Sequence, residues 1–577
     1  MPIRPTRHSL LVLATTLTLL WVISTAQAAS PRVFPKGELP DDARLKPQKD
    51  LNAYFPFKVP KTREAWESRK RELKQRILVS TGLWPMPQRT PLNPVIFGKV
   101  TRPGFSVEKV YFESVPGHFV TGLLFRPTGK SAAGKHPAVL CPHGHGGRLQ
   151  DYGAAKMDAL IKSGAEKYRK SGRFPKLARC ATLARMGCVT FIFDMEGYAD
   201  AQQIGMRVAH RLQKQRPHMN SPSGWGFIST QAELRLQSIL GLQTWNSIRC
   251  LDFLAGLPDV DPKRIGVTGG SGGGTQSFLL AAIDERIRAA FPAVMVSTEM
   301  QGGCVCENGP YLRVDTSNIG ISALIAPRAL GMTGADDWTL HIEERGLPEL
   351  KQVWSLYDRA DLIEAKCFPQ FGHNYNSFGR ARMYTFFARH LELGEVLPEQ
   401  TFEAFPPAEL SVYSPSDARP RELDAAGVLA WWREQIEASL ESRRVHDRES
   451  LEAWKRDVSE TLRVLLHTSL PSAVEVRDRR EITCEGGRAE ALVLSRPECD
   501  EAVQALLVKP LSWSGAVRVV ASSTPWRERM TPEAWRDLRQ EARANTTDAL
   551  LFVDGISHDA EHTQQAPYCL LLVVVVV

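Results

Sequence analysis

Short apolar runs, each closed by a turn and followed by a stretch of helical period, recur between residues 107 and 391. Apolar runs bounded by turn formers read as buried strands, and longer amphipathic stretches read as helices. The pattern predicts strands at Val107–Phe112, Phe119–Arg126, from His136, and at Cys188–Phe193, Ile265–Val267, Ala289–Val296, Ala329–Thr333 and Leu362–Phe368. Between them it predicts helices at Lys176–Met186, Thr230–Leu254, Phe278–Ile283, Ile319–Leu324, Leu350–Tyr357 and Ala381–Leu391. A charged helix, Thr62–Leu78, precedes the series, with Thr62 placed to cap it. Strands alternating with helices predict an α/β fold whose mostly parallel sheet is covered by helices on both faces. Ala199–Gly226 is polar and without period, and is expected as an insertion over a site.

The chain has 577 residues, more than one ordinary domain needs. Its composition is 43% hydrophobic and 24% charged, that of a globular protein. A net charge of +8 is spread along the chain without a Lys/Arg block, so no nucleic-acid partner is expected. Residues 1–28 read as a signal peptide: Arg4 and Arg7, an apolar run from Leu10 to Ile23, then Ala26-Gln27-Ala28 as cleavage site. The run is short for a membrane span, so an exported chain without a stable membrane anchor is expected. Among ten cysteines, Cys141, Cys188 and Cys367 fall in strand-like runs and read as buried filler.

The chemistry concentrates around Ser271. Gly269-Gly270-Ser271-Gly272-Gly273 follows an apolar run and precedes an apolar helix, the strand–turn–helix context of a nucleophile elbow. Such a turn lifts the hydroxyl clear of its neighbours and leaves little room for side chains beside it. A serine then needs a base, and the base a carboxylate, both just beyond strand ends. Asp337 follows one strand, with Asp336 as the reserve, and His373 follows the next in Phe371-Gly372-His373. For the oxyanion, Gly272 offers one backbone N–H, and His145 in His143-Gly144-His145-Gly146-Gly147 a second. A metal site at His143 and His145 is the competing idea, but no third ligand stands at metal spacing, so none is expected. Met300–Asn308 could line the pocket through Glu307 and Asn308, with Cys304 and Cys306 as a disulfide or buried thiols.

Together the loop at 143–147, the run from Trp245 through Gly274, Gly334–Thr339 and Phe371–His373 resemble the α/β-hydrolase superfamily. The likeness is to bacterial esterases of the acetyl xylan esterase and dienelactone hydrolase-like group. It implies the α/β-hydrolase fold, a Ser271–Asp337–His373 triad, an acyl-enzyme, no cofactor, and a small-molecule or carbohydrate ester as substrate. Dienelactone hydrolases proper use a cysteine nucleophile, and Ser271 departs from them toward esters. A serine peptidase of the same fold and a noncatalytic polysaccharide- or protein-binding module are the other readings.

A catalytic domain is thus expected over 29–400, with a lead-in before its first helix. Residues 401–577 read as a degenerate or truncated second hydrolase-like domain. Ser450–Arg456 echoes the Thr62 helix, Ala491–Pro497 echoes Gly122–Pro127, Ala505–Pro510 echoes Ala138–Pro142, and Leu550–Asp554 echoes Thr190–Asp194. The copy carries no His-Gly-His-Gly-Gly loop, and its sheet edge is expected to be incomplete.

Overall fold

The computed structural model describes residues 38, 40–47, 53–129, 134–211, 225–399, 402–413, 420–466, 473–484, 487–497, 500–510, 513–522 and 549–554. The predicted signal peptide, the apolar end at 570–577 and part of the Ala199–Gly226 insertion lie outside them. Among the described residues, no helix is long and apolar enough to cross a membrane.

Two compact units divide the chain: residues 49–467, and residues 1–48 with 468–577. The larger holds a nine-stranded sheet: β1 (Val95–Arg102), β2 (Phe105–Val115), β3 (His118–Pro127), β4 (His136–Leu140), β5 (Val189–Phe193), β6 (Val260–Gly270), β7 (Ile287–Ala293), β8 (Ala329–Ala335) and β9 (Ile363–Phe368). In space they run β1-β2-β3-β5-β4-β6-β7-β8-β9. Antiparallel pairing joins β1, β2, β3 and β5, and parallel pairing joins β5 through β9. This is the mostly parallel sheet that the alternation predicts. Strand β1 lacked the apolar run that marks a strand, because its edge position leaves it largely exposed.

Helices cover both faces. α1 (Arg63–Ser80), α3 (Ile239–Gly256) and α4 (Gly272–Ile283) pack into one apolar cluster, and α2 (Pro175–Arg185) and α5 (Ser377–His390) into the other. Thr62 caps α1 by accepting from the Ala65 N–H at 3.2 Å. The single helix expected at Thr230–Leu254 is instead two, Thr230–Leu234 and then α3, which starts afresh where the Ser238 hydroxyl accepts from the Gly241 N–H. A side chain at Gly241 would meet the Thr81 carbonyl oxygen at 2.1 Å, so α3 lies almost backbone to backbone against the end of α1. Every residue of α4 is buried, as a helix at the centre of such a fold should be.

The compact division falls after residue 467, not at 400 as expected. Phe402, Phe405 and Leu410 belong to the α2–α5 core, and Val428, Leu429 and Trp432 of α6 (Ala425–Glu441) to the opposite one. Trp432 is buried, and its indole N–H donates to the Gly82 carbonyl at 3.0 Å. Nor does the whole lead-in accompany the catalytic region. In the smaller unit the Asp42 carboxylate accepts from the Ala502 N–H at 2.8 Å, and the Ala43 N–H donates to the Asp500 carbonyl.

The smaller unit holds β10 (Glu475–Cys484), β11 (Gly487–Arg496), β12 (Glu501–Pro510), β13 (Val517–Ser522) and β14 (Ala549–Asp554), in the order β10-β11-β12-β14-β13. Three antiparallel pairings and one parallel pairing follow in that order. The first five strands of the large sheet, β1-β2-β3-β5-β4, have the same order and directions. Each first pairing also breaks register at the same place, between Phe97 and Val100 and between Arg477 and Arg480. The strand correspondence corrects the sequence echo by one strand. Ala505-Leu-Leu-Val-Lys-Pro510 stands where Gly122-Leu-Leu-Phe-Arg-Pro127 stands, in β3, and Ala491–Pro497 matches β2. Both β3 and β12 are inner strands with near-continuous burial, which is why either fitted a buried-strand pattern.

A chain of residues 49–467 should therefore fold, whereas one ending at 400 should not. The shorter chain strips Phe402, Phe405, Leu410, Val428, Leu429 and Trp432 from the core, each worth about 1.5–3 kcal/mol of burial. Their sum rivals the ~5–15 kcal/mol stability of a whole domain. Soluble yield and thermal unfolding of the two truncations check this.

Candidate active site

Ser271 sits between β6 and α4 with φ 58° and ψ −127°, a conformation side-chain-bearing residues rarely adopt. Glycines make the turn possible. A Cβ at Gly269 would lie 2.4 Å from the Pro142 carbonyl oxygen and 2.5 Å from that of Gly273. At Gly144, across the cleft, it would lie 2.6 Å from the Gly270 carbonyl oxygen and 3.0 Å from Ser271 Cβ. The loop after β4 thus rests directly on the elbow. Gly272 opens α4, so its N–H is one of the unpaired donors at a helix start.

His373 follows β9, and its Nδ1 lies 2.6 Å from Asp337 Oδ2 after β8. The other oxygen of Asp337 accepts from the Thr339 N–H at 2.7 Å and from the Thr339 hydroxyl. Asp337 is nearly buried and oriented from both sides, which fixes the Nδ1–H tautomer and leaves Nε2 as the basic nitrogen. Asp336 has no such geometry: its N–H donates to the Phe371 carbonyl. The Trp338 ring lies on the imidazole, centroids 4.5 Å apart. Two residues beyond His373, Tyr375 packs its Cβ 3.2 Å from where a Gly270 Cβ would stand, and its hydroxyl lies 2.9 Å from Thr268 Oγ1. That contact pins the histidine loop to the strand that carries Ser271. Ser271, His373, Gly144 and His145 line one cavity of about 360 Å³.

The two loop histidines differ. His143 is buried; its Nδ1–H donates to the Gly144 carbonyl at 2.9 Å and its Nε2 accepts from the Met195 N–H at 3.1 Å. Burial holds its pKa well below the ordinary value, so it is a neutral brace inside the loop. His145 points outward from it, its Nε2 3.7 Å from Cys306 Sγ. Lys176 ties the same loop from α2, donating to the Gly147 carbonyl at 2.7 Å. Burial, then the neighbouring Arg179 charge, lowers the Lys176 pKa to about 7.

Glu307 and Asn308, expected at the pocket, do not line that cavity. Asn308 is spent inside its loop: its amide donates to the Gly302 and Cys304 carbonyls, and its carbonyl accepts from Arg313. Glu307 accepts from the Gly303 N–H and turns its other oxygen toward Gly272, 3.1 Å from where a Cβ would stand. Burial raises its pKa. Cys304 and Cys306 are free, buried thiols. Cys304 Sγ lies 3.7 Å from His210 Nδ1 and accepts from the Arg211 N–H at 2.9 Å. His210 lies in the insertion and offered no pattern to find it by. Lys156, Lys176 and Arg179 also line the cavity and went unremarked in the sequence, where lone cations on a helix read as solvated surface.

No protein-family profile matches the chain. The Bacillus subtilis protein YtaP, named as a hydrolase, is 27% identical over 238 residues, 39% of this chain and 66% of YtaP, just short of two thirds of its length. Among solved structures, methylesterase BT1017 is 26% identical, with a TM-score of 0.51 over 67% of this chain and 78% of that one. A glucuronoyl esterase from Solibacter usitatus is 17% identical, with a TM-score of 0.39 over 61% of this chain and all of that one. The chain has the α/β-hydrolase fold, and its likeness is to ester hydrolases.

The partly buried Lys176 gives a signed pH effect. Between its folded pKa of about 7 and the ordinary 10.5, the unfolded chain holds a proton there that the folded chain does not. Stability on this group's account therefore rises with pH across that window. From pH 7 to pH 9, unfolding free energy should grow about 2 kcal/mol more in wild type than in Lys176→Met, as denaturant titrations at both values would measure.

Proposed function

We propose that this chain is a serine ester hydrolase acting on carbohydrate esters through an acyl-enzyme. Ser271 is the nucleophile, His373 the base, and Asp337 the carboxylate that orients it; the Gly272 and His145 N–H groups receive the oxyanion. The observation that carries the reading is the His373–Asp337 contact of 2.6 Å at the mouth of a cavity that also exposes the strained Ser271 turn. His373 Nε2 would take the serine proton on attack and return it to the leaving alcohol; water repeats the sequence to release the acid. No redox step is needed, and the groups named suffice for ester cleavage. In this reading the protein is exported, and the smaller unit is a partial copy of the first that has lost the chemistry.

The acyl side has two readings. The sequence resemblance favours acetyl esters. The cavity lining favours the methyl ester of an acidic sugar, because the basic side chains of Lys156 and Arg179 line it. Arg179 is buried, with its guanidinium carbon 5.0 Å from the centroid of the Tyr375 ring. A sugar carboxylate would pair with such a group. BT1017, a methylesterase by name, lends weight to the same reading.

Wild-type protein should hydrolyse p-nitrophenyl acetate but no peptide amide, and Ser271→Ala should abolish the reaction. Asp337→Asn should lower kcat by roughly 10⁴-fold, as a carboxylate-to-amide change does when it inverts the tautomer, while Asp336→Asn should change it little. Methanol released from methyl-esterified polyuronate, against acetate from acetylated xylan, separates the two acyl readings. Turnover of the amide would favour a peptidase, and turnover of nothing a binding module.

A further inference from the structure

We infer that His145, His210, Cys304 and Cys306 form a binding site for one tetrahedral transition-metal ion of the zinc class. Their four donor atoms all lie within 4.8 Å of one another. The two cross pairs, Cys304 Sγ to His210 Nδ1 and Cys306 Sγ to His145 Nε2, are each 3.7 Å. A tetrahedral ion with bonds of ~2.3 Å to sulfur and ~2.0 Å to nitrogen holds those atoms about 3.5 Å apart. The two imidazoles meet edge to face, centroids 5.2 Å apart, so their lone pairs converge from different directions.

The ligands come from three places distant in sequence: the loop after β4, the segment after β5 and the loop after β7. Nothing local brings them together. The surroundings are those of a ligand set held ready. His210 Nε2 lies 2.7 Å from the Glu196 carbonyl, which commits its proton there and leaves Nδ1, the nitrogen that faces Cys304, unprotonated. The Arg211 N–H, at 2.9 Å, points at Cys304 sulfur as it would at a thiolate. Three of the four residues are buried; His145, at the cleft, is the exposed member. Two thiolates and two imidazoles suit zinc and exclude the hard oxygen-seeking cations.

His143, the other histidine once considered for a metal, is not in this set, because both its nitrogens are already paired. The partners His145 lacked in the sequence are three, residues 210, 304 and 306. The ion would join the loop that carries His145 to the loop after β7, and so position that loop rather than react. The site stands independently of the esterase reading.

The full-length protein, purified reduced and without chelator, should contain about one zinc per chain by elemental analysis. After the metal is stripped, one equivalent of Co²⁺ should produce visible ligand-field bands of a tetrahedral ion and sulfur-to-cobalt charge-transfer absorption. Cys306→Ala should reduce bound metal at least tenfold, while Cys306→His, which keeps a ligand, should retain it. Absence of both zinc and cobalt bands in reduced wild-type protein would overturn the inference. So would an intact mass two hydrogens light that maps to a Cys304–Cys306 disulfide. The cobalt titration uses wild-type protein alone, so it decides the matter even if a variant fails to fold.

Discussion

Backbone against backbone at one turn is the constraint from which the large unit is built. Around Ser271, with its φ of 58°, the carbonyl oxygens of Pro142, Gly273 and Gly270 stand where side chains on Gly269, Gly273 and Gly144 would be. Any Cβ there would push apart β6, the start of α4 and the loop after β4 at once. The cost of that conformation, on the order of 1–3 kcal/mol, is borne by the surrounding core. Wholly buried α4 behind it and the parallel strands beside it leave the turn no way to relax.

From that turn the cleft is assembled by short ties. Tyr375 presses the histidine loop onto Gly270, and Thr339 fixes Asp337, which fixes the imidazole. On the other side the loop after β4 is braced internally by His143, from α2 by Lys176, and outward through His145. Each tie uses a different interaction: packing, a carboxylate pair, a buried neutral ring, an ammonium on carbonyls. The oxyanion site proposed at Gly272 and His145 would use this redundancy, since its donors must stay in place while charge develops.

The smaller sheet shows how little of such an architecture is chemistry. Its five strands repeat the order and directions of the first five of the large sheet, down to the register break in the edge pair. In the large unit Ser271, Asp337 and His373, the proposed triad, all follow later strands, β6, β8 and β9. The half of the sheet that repeats is the half that carries the loop after β4 alone. Fold and function separate along the chain at that point.

Sequence alone determined whatever depends on neighbours in the chain. The strand–turn–helix at Ser271, the capping of α1 by Thr62, the placing of Asp337 and His373 just beyond later strands, and the alternating architecture are set by local period and glycine placement. Tertiary structure decided what depends on residues far apart. It chose Asp337 over Asp336, because only one carboxylate can face an imidazole that arrives from another loop. It gave Phe402, Phe405, Leu410, Val428, Leu429 and Trp432 to the large unit's core, since burial is not written in the polarity of an isolated helix. It moved Ala505–Pro510 to the place of β3, because hydrogen-bond partners and not resemblance define a strand's position. And it gathered His145 and His210 beside the Cys304–Cys306 pair, from positions in the chain that hold no sign of the few ångströms between them.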